Sequence, residues 1–417
     1  MKKFLIVLLV VLAAAAGLIA FYYFSEESGT PEDVATSPPA SPISAQSSHP
    51  ATTPSATASA PVSTATPTGM PEDWNDGEIF STAYKKAYQK LSSMSLEEKV
   101  GQMILARCPD EEAETSARDY HLGGYVLFER DFKDKTAEEV SSAIRSYQDA
   151  AAIPLIMAVD EEGGTIVRIS SNPQLADKKF RSPQKIYSEG GLDAIRADTV
   201  KKAQLLKELG LNLNLAPVAD VSEDPSDYIY ARTLGRPPEE TGGFVAAVVE
   251  TMQDQGLSST LKHFPGYGNN RDTHTGIAID ERSLGSFRKN DFIPFEAGIN
   301  AGAECVLVSH NIVLNMEKDV PASLSANVHR ILREELMFTG VILTDDLSMD
   351  AIKEYTDGAD PSVQAVLAGN DMLLTTDFAQ SFDAVLTAVD AGKIPLETVD
   401  RAVMRILAWK YAKGIIQ

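Results

Sequence analysis

The chain has 417 residues, with 37 Lys and Arg against 59 Asp and Glu, a formal charge of -22, 44% hydrophobic residues and 2 Cys. These figures exclude a disulfide-stapled small scaffold and a wholly disordered chain. Such an excess of negative charge repels a phosphate backbone and no Lys/Arg run offsets it, so nucleic acid is not an expected partner.

Residues 1–27 open with Lys2 and Lys3, followed by an uncharged apolar run from Phe4 to Phe24. That run is long enough to cross a bilayer as a helix, and the lysines keep its start on the cytoplasmic side. It predicts a single-pass anchor in the cytoplasmic membrane with an extracytoplasmic body. The alternative is a cleaved signal segment and secretion, since small residues occur at Ala13 to Ala16. Residues 28–70 change character: 31 of the 40 residues from Pro31 to Met70 are Pro, Ala, Ser or Thr. This composition buries too little apolar surface to offset chain entropy and predicts an extended tether.

Residues 71–417 contain no further low-complexity break and predict one large domain. Ser95-Leu96-Glu97-Glu98 reads as a capping box whose helix presents Leu96, Val100 and Met103 or Ile104 on one face. Eight short apolar runs follow, at 104–106, 125–128, 154–159, 211–218, 257–261, 305–309, 340–344 and 371–375. Helix-like segments lie between most of them, at 136–151, 194–209, 240–255, 325–336 and 378–391. The count predicts an α/β fold of the TIM-type (β/α)8 barrel class, although an open sheet covered on both faces shares the local pattern.

Polar groups gather just past these runs: Asp160 to Gly164, Asp220 and Arg232, Lys262 and His263, Ser309 to Asn311, and Asp345 and Asp346. In a barrel such ends open on one face, where a pocket can collect them. Asp345 follows the rigid VILT run and is suited to attack an electrophilic carbon, whereas Asp346 faces elsewhere and fits a helix cap. In Asp272-Thr273-His274 alternate residues can share a side, so that Asp272 orients the His274 imidazole for proton transfer. His263, His274, Asp220 and Asp345 lack the close spacing of a zinc site, and no metal or cofactor is expected. Cys108 and Cys305 read as two free thiols.

The segments LKHFPGYGNNRDTHTG (261–276), VDEEGGTIVR (159–168) and ILREELMFTGVILTDDLS (331–348) resemble glycoside hydrolase family 3, in particular its single-barrel β-N-acetylglucosaminidases. The likeness runs from about residue 90 to 414. It implies retaining hydrolysis of terminal β-linked N-acetylglucosamine through a covalent glycosyl-enzyme. It further implies Asp345 as nucleophile, His274 as acid/base oriented by Asp272, Asp160 as the carboxylate holding sugar hydroxyls, and Arg232, Lys262 and His263 as pocket residues. An external, tethered enzyme of this kind would act on cell-wall glycans or muropeptide fragments.

The sequence departs from those relatives in places. Tyr267 stands where a His is common, and the segment from Lys262 to Asp272 is one residue shorter. Asp131 replaces a familiar Asn beside Arg130, a charge expected to weaken selection of an acidic aglycone. Phosphorolysis and a β-glucosidase-like activity are alternatives within the family, and a non-catalytic sugar-binding protein is the alternative outside enzymology.

Overall fold

The computed structural model describes residues 70–71, 74, 79–270, 272, 276–356 and 360–417. The apolar run, the tether up to residue 69 and His274 lie outside them. Among the described residues no helix is long and apolar enough to cross a membrane.

Each of the eight apolar runs contains a strand: β1 (Ile104–Arg107), β2 (Gly124–Leu127), β3 (Ile156–Val159), β4 (Leu213–Asn214), β5 (Ser258–Phe264), β6 (Cys305–Val308), β7 (Val341–Thr344) and β8 (Leu373–Thr375). Strands such as IMAV, CVLV and VILT are buried at every position, the expected pattern for a parallel sheet with side chains packed on both faces. Neighbours in the chain are neighbours in space, all parallel, in the order β8-β1-β2-β3-β4-β5-β6-β7. A bridge from Leu343 to Met372 joins β7 to the start of β8 and closes the ring. Closure decides between the two architectures left open by the periodicity. The eight-residue run 211–218 yields only a two-residue strand, although its backbone goes on pairing with β5 as far as the Val218–Lys262 bridge.

The helices are less regular than their sequence suggested. The segment expected at 194–209 belongs to a longer helical stretch, Pro183–Glu208, interrupted at Gly190 and Gly191, where Gly191 has φ 59°. The segment 325–336 divides into an α-helix, Ala326–Arg330, and a π-helical turn, Ile331–Glu335. The capping box forms as read: the Ser95 side chain accepts from the Glu98 N–H, and the Glu98 carboxylate accepts from the Ser95 N–H. Cys108 and Cys305 are free and buried, and burial pushes the Cys108 thiol up to about 12.

The last helix, Leu396–Ala412, closes the N-terminal end of the barrel. Val399, Val403, Ile406 and Lys410 recur at helical spacing on its buried stripe. Trp409 Nε1 donates to Ser258 Oγ at the start of β5, Arg405 pairs with Asp371 just before β8, and Lys413 pairs with Glu304 just before β6. Lys410 is fully buried, and its ammonium has Gln102 Oε1 as acceptor at 2.7 Å. Burial without a counter-charge pulls its pKa down from 10.5 to about 7.

An unfolded lysine therefore binds a proton more tightly than this folded one between pH 7 and 10.5, and stability rises with pH across that window. Lys410→Met should stabilise the protein by about 2–4 kcal/mol below pH 7. Chemical denaturation at pH 6 and at pH 10 tests this: the gain should be largest at pH 6 and shrink at pH 10.

Candidate active site

The C-terminal ends of the strands surround a cavity of about 360 Å³. Val126, Leu215, Leu307 and Leu374, from β2, the segment after β4, β6 and β8, give it apolar walls. Asp160, Arg232, Lys262, His263, Asp272 and Asp345 all line it. Residues up to 185 positions apart in the chain thus meet because each stands at the C-terminal end of a strand or in the connection that leaves it.

Asp160 is held by Lys262, whose Nζ lies 2.6 Å from Asp160 Oδ1 and 2.7 Å from Glu162 Oε1. Arg232 grips the same Glu162 with two N–H groups, at 3.0 and 2.8 Å. Arg232 also donates to His263 Nε2 at 3.0 Å, and His263 Nδ1 lies 2.7 Å from Asp220 Oδ2. Because Nε2 accepts from a guanidinium that has no lone pair to offer, the ring is assigned as the neutral tautomer with its proton on Nδ1, donated to Asp220. The Lys262–His263 peptide is cis, and both side chains face the cavity.

The result is a relay of alternating charge, Asp220, neutral His263, Arg232, Glu162, Lys262 and Asp160. Burial alone would raise the Glu162 pKa, but Arg232 and then Lys262 outweigh it and hold the carboxyl far below its usual range. Burial likewise opposes the charge on Lys262, and Asp160 and Glu162 reverse that and raise its pKa. The relay fixes Asp160 at the cavity wall with its remaining acceptor sites turned to whatever enters.

The acidic run 160–162 therefore has three roles. Asp160 faces the cavity, and Glu162 binds the two cations. Glu161 accepts from the N–H groups of Arg168 and Ile169 and from Ser170 Oγ, at 2.9, 2.8 and 2.5 Å, so it shapes the following loop. Gly163, at φ 101°, makes the turn, and a Cβ there would sit 2.3 Å from the Arg181 carbonyl oxygen.

Asp345 and Asp346 both line the cavity, but their contacts differ. Asp346 accepts from the N–H groups of Ser348 and Thr376 and from Thr376 Oγ1, at 2.9, 3.3 and 3.0 Å, which ties the turn after β7 to the end of β8. Asp345 Oδ1 accepts from the Asp346 N–H at 2.9 Å.

The loop that carries Asp272 is built on a buried clamp. Arg282 donates to both Asp280 and Asp291, with closest approaches of 2.7 and 2.9 Å, and reaches the Gly266 carbonyl at 3.3 Å. Asn270 donates to Asp280 at 2.7 Å. Gly266 and Gly268 lie so close to Asp291 and Arg282 that a Cβ at either would meet them within 2.4 and 2.6 Å.

Sequence reasoning missed two polar lining residues, Arg107 and Tyr228, and left the direction of Arg168 open; all three line the cavity. Arg107 could have been found, since it directly follows an apolar run like the other strand-end groups. Tyr228 is 43% exposed; burial and the neighbouring Asp272 carboxylate raise the pKa of its hydroxyl, and Arg232 opposes them. Tyr267, expected to alter the pocket, is buried behind it, 5.8 Å from Tyr228 and 5.6 Å from His263 by ring centroids. Arg130 and Asp131 do not line the cavity: Arg130 pairs with Asp110, and Asp131 accepts from the Phe128 N–H. The effect expected of Asp131 on an acidic aglycone therefore has no direct route.

The profile of the glycosyl hydrolase family 3 N terminal domain matches residues 95–409. A beta-hexosaminidase of Stenotrophomonas maltophilia (strain K279a) is 35% identical over 284 residues, which cover 65% of this chain and 82% of that protein. A beta-hexosaminidase of Xanthomonas campestris pv. campestris (strain B100) is 33% identical over 258 residues, 60% of this chain and 76% of that one. Among solved structures, a glycoside hydrolase family 3 beta-N-acetylglucosaminidase from Paenibacillus sp. str. FPU-7 aligns with a TM-score of 0.72 at 29% identity, over 78% of this chain and 63% of its own. The beta-N-acetylhexosaminidase from Beutenbergia cavernae DSM 12333 gives 0.69 at 26% identity, over 77% of this chain and 99% of its own.

Proposed function

The chain belongs to glycosyl hydrolase family 3 and is a glycoside hydrolase; from that premise we propose that it is a retaining exo-β-N-acetylglucosaminidase. The observation that carries this reading is one sugar-sized cavity in which Asp345 stands with Asp272 and with the Asp160–Lys262–Glu162–Arg232 relay. The relatives' names supply the sugar.

In this mechanism Asp160, Lys262 and Arg232, the last positioned by His263, hold the hydroxyls of a terminal N-acetylglucosamine and fix its anomeric carbon before Asp345. A carboxylate oxygen of Asp345 forms a bond to that carbon as the bond to the leaving oxygen breaks, and His274 gives that oxygen its proton. Water then gives a proton to the same imidazole, its oxygen bonds to the anomeric carbon, and the Asp345 carboxylate departs. Two inversions leave the product with the starting β configuration. Hydrolysis of 4-nitrophenyl N-acetyl-β-glucosaminide followed by proton NMR tests the reading: β-sugar should appear first, and initial α-sugar or no turnover would reject it. The run 4–24 supports an external location, where wall glycans and muropeptide fragments carry this linkage; retention of the intact chain in the membrane fraction is the expected result.

Tyr228 offers a finer test of the acid/base assignment. Its hydroxyl neighbours Asp272, and a donor so placed makes that carboxylate a weaker partner for a protonated imidazole. Tyr228→Phe removes the donor, so His274 should hold its proton to higher pH. The alkaline limb of kcat/KM is expected to move upward by about half a pH unit; an unmoved limb would separate Tyr228 from the dyad.

A further inference from the structure

The cavity is lined by four permanent cations, and they fall into two classes. Arg232 and Lys262 are neutralised by Glu162 and Asp160. Arg107 and Arg168 form no ion pair with any described residue, and the Nε of each is buried without a hydrogen-bond partner. Their guanidinium carbons lie 4.5 and 5.5 Å from the centroid of the Phe128 ring, a contact that holds a cation in place without satisfying its N–H groups. In a chain with 59 carboxylates and a charge of -22, two unmatched cations side by side at one pocket wall are a cost that an incoming anion would remove. The acids that line the same cavity, Asp160, Asp345 and Asp346, form no ion pair with either arginine, and Asp160 pairs with Lys262 instead.

The topology tells which end of a substrate they face. Arg107 ends β1 and Phe128 follows β2, whereas Asp272 follows β5, four strands from β1 in either direction around the ring. On the reading above, the leaving group departs toward the Asp272 loop, so the arginines face the sugar that the enzyme retains. We propose that Arg107 and Arg168 form a receptor for a carboxylate or phosphate carried by that retained sugar, making terminal N-acetylglucosamine residues with an anionic substituent a substrate class of this enzyme. Guanidinium groups suit this task because their paired N–H donors match both anions. The inference rests on the exo-glycosidase reading for its orientation only.

The test uses the full chain and three 4-nitrophenyl N-acetyl-β-glucosaminides: unmodified, 3-O-lactyl and 6-phosphate. The wild type should hydrolyse at least one anionic compound with kcat/KM no lower than for the neutral one, and which of the two identifies the source of the charge. Arg107→Met should lower kcat/KM on that compound about tenfold more than on the neutral one. Arg107→Lys should recover part of the difference, and Arg107→Gln replaces the Met variant should the latter melt at the assay temperature. An equal loss on charged and neutral compounds, or wild-type turnover of the neutral compound with rejection of both anionic ones, overturns the proposal. Calorimetric binding of N-acetylglucosamine, its 6-phosphate and its 3-O-lactyl ether to wild type and variant gives the same ratio without turnover. A protein inactive on all glycosides that still prefers a charged monosaccharide through Arg107 would reject the glycosidase reading and keep the receptor; binding with no such preference would reject the receptor.

Discussion

Asp345→Ala is expected to lower kcat by about 10⁴-fold or more while leaving the protein folded. The carboxylate stands directly after VILT, a strand buried at all four positions and paired along its length with β6, so the scaffold fixes its place and does not depend on it. Its removal also separates Asp346 from an adjacent like charge, and the thermal midpoint should stay within a few degrees. A 5-fluoro N-acetylglucosaminyl fluoride should add one glycosyl mass to the wild type and none to the variant. Azide should restore turnover to Asp345→Ala by entering the vacated space, and its product should be the α-glycosyl azide, since only one inversion then occurs. Wild-type turnover in the variant, or a label that stays on Asp345→Ala, would end the assignment.

Glu162→Gln is expected to have the second largest effect, although Glu162 is not assigned a contact with substrate. The substitution keeps the shape and removes the charge that Arg232 and Lys262 share. Breaking a buried ion pair from one side costs about 3–5 kcal/mol, because the partners stay buried without compensation. Lys262 would then bind Asp160 alone, and Arg232 would lose its bidentate anchor, so kcat/KM should fall about 100-fold through misplaced hydroxyl contacts. The pH dependence carries a sign. The Glu162 carboxyl is held below its ordinary value of 4.5, so its stabilisation is complete above pH 4.5 and is lost as pH falls toward the folded value. Wild type should lose its advantage over Glu162→Gln on acidification below pH 4.5, measured as the difference in denaturation midpoint. A constant difference from pH 7 to pH 3 would contradict the buried triad.

The barrel was legible because strands buried on both faces appear as uninterrupted apolar runs, and eight of them spaced by helices leave few architectures. The strand ends were legible for the same reason: an ionisable residue directly after VILT or PLIMAV has nowhere to point but the barrel mouth. Direction was not legible. Three consecutive acids at 160–162 look alike in sequence, and the turn at Gly163 sends one to the cavity, one to the next loop and one to a pair of cations. Tyr228 lies in a long connection without periodicity, so nothing in its neighbours announced it. Arg107 was overlooked because the ILA run seemed to stop before it, whereas the strand continues through it.

The helix Leu396–Ala412 ties down the starts of β1, β5, β6 and β8 through residues late in the chain. A ribosome releases those residues after every strand has already emerged, so the ring must wait, its lower rim uncovered, until translation of this segment is done. Removal of this helix would return the domain to that unfinished condition.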